Sequence, residues 1–455
     1  MPSKRPPGPP NGLMGISHLR DMKRDLLQFT IRRFREHGDA VSWRCGPIWF
    51  YQFTHPDQVE EILVKKARKL QKPTRMKQVF AKWEGNGLVV SDGDYWIRQR
   101  RLVQPAFQPS RLPRYAEAVE EFTDAMTHGW GEKREILAMQ AMHDLTLRIV
   151  AKNLFGTDLA EDAGRIRDAV HQIQILAMRD LGAAIPLPDW WPVEWKRKGL
   201  SAIADLKALV DRLIAEGRRS GRDQGDLLSM LLSAVDPEGN GQGMTDEQAR
   251  DEAVTLLIAG HETTTNALVF TLYLLARHPE IQESIVAETR QALGEGTANF
   301  ANIARLAPVE RCFKEALRLY PSVYFTSREV AEPVEIGGYR LGKMSQIHLC
   351  PYLMHRDPRW FENPAEFDPS RFLPEREAAI RPFVYLPFGA GPRACIGKGF
   401  AMMEAVLILS RILLDYQVSL PPGEREPELE AQISLHPKED IRLAMTRRAL
   451  VPQRT

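Results

Sequence analysis

Phe388–Ala401 reads FGAGPRACIGKGFA, and the order of residue types within it governs how the rest of the chain is read. Gly389, Gly391 and Pro392 favour an irregular backbone ahead of Cys395. Directly behind it an apolar helical pattern begins, through Phe400, Val406, Leu407, Leu409, Leu413 and Leu414. A cysteine at a helix N-terminus beside Arg393 sits in an electropositive setting that lowers its pKa and favours thiolate. Gly397 removes the side chain that would keep a flat group off the backbone. A lone cysteine is more often a buried structural residue, but this one stands in a dense pattern of fixed residue types. Cys45, Cys312 and Cys350 have no such surroundings, and none of the four cysteines forms a C-x-x-C pair. Zinc-ribbon and dithiol redox chemistry are therefore not indicated.

The longest helical stretch lies upstream. Thr245 with Gln248 three residues on forms a capping-box start, and no proline interrupts the pattern before His278-Pro279. At ~1.5 Å per residue such a helix is roughly 50 Å long. Its middle, AVTLLIAGHETTTNALVF, is apolar on nearly every face and is expected to be buried. Ala259 and Gly260 leave open space there. Thr263 can bond back to the Ala259 carbonyl and distort the helix. Glu262 beside it is costly in apolar surroundings unless it has a partner or a task.

Residues 39–54, DAVSWRCGPIWFYQFT, read as a hairpin turning at Gly46-Pro47, and a second strand zone spans about Val323 to Leu349 across Gly337-Gly338. Most of the remainder is helical. The expected fold class is mainly α with a small β region (α+β), its strands drawn from both ends of the sequence. Glu315 and Arg318 lie three apart on one apolar-flanked helix and can pair. Trp96 and Arg100 lie four apart on another, a spacing that alone suits cation–π packing.

Bulk composition excludes several classes. Of 455 residues, 61 are Lys or Arg and 59 Asp or Glu, a formal net charge of +2, so no nucleic-acid partner is indicated. Four scattered cysteines suit reduced thiols in the cytoplasm. The opening, Met1–Gly12, is polar and proline-rich; it reads as neither signal peptide nor transmembrane anchor. The expected organisation is a proline-rich segment over 1–12 and a single domain over 13–455.

Phe388, Gly391, Arg393, Cys395 and Gly397 match F-x-x-G-x-R-x-C-x-G, the heme-binding signature of the cytochrome P-450 superfamily, at every fixed position. The chain resembles a soluble bacterial-type member, close to the microsomal-like branch. The resemblance implies the family's fold, with the long central helix over heme b and Cys395 binding the iron from the loop 388–397. It implies that Trp96, Arg100, Arg328 and Arg393 hold the heme propionates, with Phe388, Gly389, Gly397 and Ala259 against the heme. It implies an E-x-x-R network of Glu315, Arg318 and Arg371 that supports the ligand loop. Glu262 and Thr263 resemble the acid–alcohol pair that relays protons to O2.

By the same resemblance, Val89, Ala259, Thr263, Val323 and Phe325 line an apolar pocket for a lipophilic small molecule, and Leu181–Trp195 forms a lid. A proximal basic face of Arg98, Arg101 and Lys398 would receive the electron donor. The stretch after Cys395 is too short for a reductase domain. Electrons are therefore expected from a ferredoxin or flavodoxin with its NAD(P)H reductase, serving a monomeric monooxygenase. Two other readings stand beside it, a heme-thiolate peroxygenase or isomerase and a non-catalytic heme sensor. The arginine–proline pair of peroxygenases is absent here, where Glu262-Thr263 stands instead.

Overall fold

In the computed structural model, which describes residues 5–12, 15–183, 185–220, 225–236 and 241–449, the central helix runs from Asp246 to Arg277. The Thr245 side chain accepts from the Gln248 N–H at 3.2 Å, and the Gln248 side chain accepts from the Thr245 N–H at 3.1 Å. Both members of the box are thus made, satisfying two of the donors that a helix start leaves orphaned. The two halves of this helix belong to different cores. Ala249, Ala253, Val254 and Leu257 pack with Leu147, Leu154, Leu206 and Val210. Ala267 to Leu275 pack with Val309, Phe313, Val406 and Leu409. Between the two cores, Ala259, Gly260, Thr263 and Thr264 face a cavity.

The helices around it are Ala138–Phe155, Glu194–Ser220 and Ala307–Leu319, with Lys398–Asp415 behind the ligand loop. The loop helix is apolar along its length, Met403 to Leu413 being buried almost without interruption. It therefore sits inside the larger core rather than on its edge.

The expected hairpin forms from Ala40–Cys45 and Ile48–Phe53, antiparallel across Gly46, whose φ of 57° suits glycine. Gln346–Leu349 adds in parallel to its second strand, followed by Thr326–Val330 and the short Leu70–Gln71. The later strand zone thus begins at Thr326 rather than at Val323, because Pro321 to Phe325 cross from the preceding helix without ladder bonds. Val334–Ile336 and Tyr339–Leu341 pair across Gly337-Gly338. A further sheet of Lys133–Leu137, Arg442–Arg447 and Tyr416–Ser419 was not expected from the sequence. Its strands are short, mostly exposed at one edge and far apart in the chain, so no local alternation marks them.

The proline-rich opening, described from Arg5, is tied to the hairpin. Ser42 donates through its N–H to the Pro7 carbonyl (2.9 Å) and through its hydroxyl to the Pro6 carbonyl (2.7 Å). The Arg44 N–H donates to the Asn11 side chain at 2.7 Å. Residues 1–4 lie outside the described residues, as does Ala184 within the expected lid. The rest of that lid joins helix Ala163–Gly182 to helix Glu194–Ser220. Trp190 and Trp191 are 76% and 44% exposed, whereas Trp195, where the stretch ends, packs against the core. Asp189 anchors it between Lys82 (2.6 Å) and Lys196 (3.0 Å). Among the described residues no helix is long and apolar enough to cross a membrane.

Candidate active site

The ligand loop closes on itself, the Cys395 N–H donating to the Phe388 carbonyl at 2.9 Å and the Ala394 N–H to that of Gly391 at 3.0 Å. Gly389 and Gly391 have φ of 67° and 68°. At Gly391 a Cβ would stand 2.0 Å from the Leu63 carbonyl oxygen, so the position excludes every side chain. Leu63 lies in a single π-helical turn, Glu61–Lys65, that follows helix Pro56–Glu60, a local distortion of a kind frequent at functional sites. Gly397 differs. Its φ is −87°, and the nearest neighbour of a Cβ would be the Phe107 ring at 3.7 Å. Neither backbone nor protein contact demands glycine there, which leaves the cavity side as the reason.

Cys395 is the only one of the four cysteines on the wall of a cavity of about 370 Å³. Its exposure is to that cavity, while the surrounding protein still desolvates the thiol. Burial raises its pKa above the ordinary value, against the opposing pull of the Gly397 N–H, Arg100 and Lys398. The expected lowering by Arg393 is therefore corrected. The Arg393 guanidinium turns to Asp92 at 2.6 Å and stacks 3.9 Å from the Trp96 ring centre. Burial raises the other thiols too, Cys45 to about 11 and Cys350 to about 12.

Arg100 lies 5.7 Å from the Trp96 ring centre and donates to the Ala394 carbonyl at 3.0 Å. Trp96 and Arg100 thus stand behind the cavity wall, bracing the ligand loop. The wall itself carries Arg328 and Arg393 and, unanticipated from the sequence, Lys72. Among the described residues neither Lys72 nor Arg328 makes an ion pair; Arg328 reaches only the Thr326 hydroxyl and the Ser327 carbonyl. Burial, with Arg328 and Arg393 beside it, pulls the Lys72 amine down to about 7. Three cavity-lining cations with Asp92 as their near counter-charge form a receptor for carboxylates. Lys72 carries no sequence signal, being one lysine after a two-residue strand.

Glu315 and Arg318 meet in a fork of 2.7 Å contacts and are fully buried. Arg318 also donates to the carbonyls of His355, Pro364 and Glu366 at 2.8–2.9 Å. Arg371 approaches Glu315 at 3.4 Å, and the Asp368 N–H donates to the same carboxylate at 3.0 Å. The three expected residues are brought together, joined to the segment that leads into the ligand loop.

On the opposite wall stand Ala259, Gly260, Thr263 and Thr264, with Val89 and Val323. The Thr263 hydroxyl donates to the Ala259 carbonyl at 2.8 Å. One expectation is corrected. Phe325 turns away from the cavity, ring to ring with His348 at 4.7 Å, because it packs under the sheet with Leu27 and Tyr324. Glu262 also lies off the cavity wall, on the outer side of the helix, where its carboxylate accepts from the Ser434 hydroxyl.

The sequence profile of the cytochrome P450 family matches residues 6–443. The chain belongs to the cytochrome P450 family. It is 39% identical to cyclooctatin synthase of Streptomyces melanosporofaciens over 91% of this chain and 90% of that protein. It is 34% identical to cyclooctat-9-en-7-ol 5-monooxygenase of the same organism, again over 91% and 90%. Pentalenene oxygenase of Streptomyces avermitilis is 31% identical over 96% of this chain and 97% of that protein. The solved heme domain of cytochrome P450DA superposes with a TM-score of 0.86 at 29% identity, covering 98% of each chain.

This P450 is an oxidoreductase with monooxygenase activity, and its cofactor is heme iron. The residues present fit that group. A cavity-facing thiol, an open Gly397 and a cation cluster in which only Arg393 has a carboxylate partner would supply one metal ligand, one flat face and a carboxylate receptor. Arg98 and Arg101 do not form the free basic face expected of them. Both turn to the fully buried Asp236, at 3.7 and 2.8 Å, while Lys398 is exposed.

Proposed function

We propose that this P450 hydroxylates an uncharged, lipophilic alicyclic molecule, drawing electrons from a separate ferredoxin or flavodoxin and its NAD(P)H reductase in the cytoplasm. The observation that carries the reading is the split of the cavity. Its cations gather at one edge, around Lys72, Arg328 and Arg393, while the wall of Val89, Leu256, Ala259, Val323 and Leu349 carries no charge. Burying a charged substrate against such a wall would strand the charge. The similar proteins named for an alkene or an unsaturated alcohol point the same way.

Cys395 would hold the iron through its sulfur, and Arg328, Arg393 and Lys72 would hold the two heme carboxylates, with Trp96 and Arg100 bracing the loop behind. Bound there, heme supplies the oxidising chemistry that activates O2 for attack on a C–H bond. Ala259 and Gly260 leave room above the ring, and the apolar wall orients the substrate and excludes bulk water. The Thr263 hydroxyl spends its proton on Ala259, so its lone pairs face the cavity and can receive a proton there. Glu262, one residue before, is the acid that would supply protons to that side.

The test is binding and turnover with the heme-loaded enzyme. Pentalenene and its alcohol should shift the heme spectrum, and product should form with NADPH and a surrogate ferredoxin pair. Tighter binding of free fatty acids than of their methyl esters would overturn the uncharged-substrate reading. Thr263→Ala should keep binding and NADPH use but release hydrogen peroxide in place of product. Wild-type product per NADPH in that variant would remove Thr263 from the proton path.

A further inference from the structure

Glu262 is nearly fully buried, yet every partner it has lies away from the cavity. The Ser434 hydroxyl donates to its carboxylate, and Ser434 in turn accepts from the Asn266 side chain at 3.0 Å. The Gln174 side chain reaches the same carboxyl, and the half-buried His436 ring lies close enough for its charge to act on it. Ser434 sits at the turn between strands Leu429–Ala431 and Leu435–Pro437. A loop from the C-terminal end of the chain thus holds an acid that belongs to the middle of the central helix.

The same turn touches the cavity by a second route. The Leu435 N–H donates to the Ser322 carbonyl at 2.9 Å. The Ser322 hydroxyl donates to the Thr263 carbonyl at 2.7 Å, and Ser322 lines the cavity beside Val323. Adjacent residues of one turn therefore grip Glu262 on the outside of the helix and, through Ser322, the backbone of Thr263 on the inside. Whatever moves Ser322 moves Leu435, and with it Ser434.

We infer that the hairpin turn Gln432–Leu435 is a latch that parks Glu262 on its outer side, where it is loaded with a proton from the His436 face, and that Ser434 is its positioning residue. The inference rests on the proton-supplying part given above to Glu262. With the latch closed, the carboxylate takes up one proton from solvent at the hairpin. With the Ser434 bond released, the side chain rotates about its own torsions and gives one proton to the Thr263 side. Each cycle returns the carboxylate to its starting charge. Burial, against the bond from Ser434, raises the Glu262 pKa, so the parked acid holds its proton more firmly than an exposed one. Among the described residues, His261 and His143 also titrate near this part of the helix and bond to each other at 3.1 Å. Burial draws them down to about 4 and about 3, so they stay neutral and do not compete for the proton.

Dioxygen itself is the probe, with NADPH, a surrogate ferredoxin and its reductase, and no organic substrate. Two electrons and two protons turn O2 into hydrogen peroxide; four of each turn it into two waters. The fraction of NADPH that ends in water therefore reads proton supply. In the heme-loaded enzyme Ser434→Ala should lower that fraction, roughly tenfold if the full relay is lost, and enlarge the solvent isotope effect on it. Ser434→Thr, which keeps the hydroxyl, should restore both. His436→Gln, a half-buried change, should move them in the same direction by less, and it decides the matter if Ser434→Ala yields no reduced-CO thiolate spectrum. Added to Glu262→Gln, Ser434→Ala should change nothing further. Wild-type partition in Ser434→Ala beside a shifted partition in Glu262→Gln would overturn the latch and leave the relay standing. Wild-type partition in Glu262→Gln would overturn the relay, and the latch with it.

Discussion

The two walls of the cavity are built in opposite ways. The wall bearing Cys395 is fixed mainly by local constraints, a self-closed loop and the buried Glu315–Arg318 fork, with Gly391 wedged against the distant Leu63 carbonyl. The wall beneath the central helix is held by contacts between distant segments, such as Ser434 on Glu262 and Ser322 on Thr263. One wall resists change of any kind, and the other can be retuned one residue at a time. Binding the metal demands the first property, and accepting a particular substrate demands the second.

The sharpest way to break this contrast is at the ligand. Cys395→Ala should abolish the reduced-CO thiolate spectrum entirely, whereas Cys45→Ala, Cys312→Ala and Cys350→Ala should keep it. Next in size is Glu315→Ala, which leaves the Arg318 guanidinium buried without its anion and should cost about 3–5 kcal/mol. Chemical unfolding of the purified variant checks this. Soluble, heme-loaded protein of wild-type stability would place the pair outside the fold's support.

A smaller effect tests the buried start of the central helix. Burial, against a bond from the Leu88 N–H, pushes the Glu252 carboxyl from 4.5 up to about 8. Between those values the folded state holds a proton that the unfolded chain has released, so this group's contribution to stability falls as pH rises through that window. Glu252→Gln should flatten the pH dependence of Tm between about pH 5 and 8 and raise Tm at the alkaline end. An unchanged pH profile would show that the carboxyl is solvated. Smallest is the docking face. Lys398→Glu should slow reduction by an acidic ferredoxin at low salt and lose that effect at high salt. Arg98→Ala, its charge already turned toward Asp236, should change the rate by less than Lys398→Glu does. A larger effect from Arg98 would restore it to the docking surface.

The same contrast explains what the sequence made legible. The ligand loop, the Glu315–Arg318 pair and the capping box at Thr245 are local patterns, in which spacing alone brings side chains together. Arg371 was placed only by resemblance, since its approach to Glu315 spans distant sequence. Lys72, Asp92 and Leu63 joined the site through tertiary approach that no nearby residue announces. The misreading of Phe325 has a plain physical origin. A residue type at the right position does not fix which side of its element it faces when both sides are buried and apolar. Arg98 and Arg101 went the same way, their charges drawn inward by Asp236, an acid more than a hundred residues downstream.

Arg318 has a consequence for how the protein is made. It leaves the ribosome before any of the three carbonyls it binds, those of His355, Pro364 and Glu366, and before Arg371. Until those segments emerge, its helix carries a charge with only Glu315 to meet it and cannot settle into its final seat. Cys395 follows later still, and Ser434, which holds the central helix from the far side, comes after it. The pieces of the cradle are delivered in an order that leaves its floor for last. Cofactor capture therefore waits for Cys395 to emerge, and a pulse of newly made protein should pass through a colourless, protease-sensitive stage before it turns red.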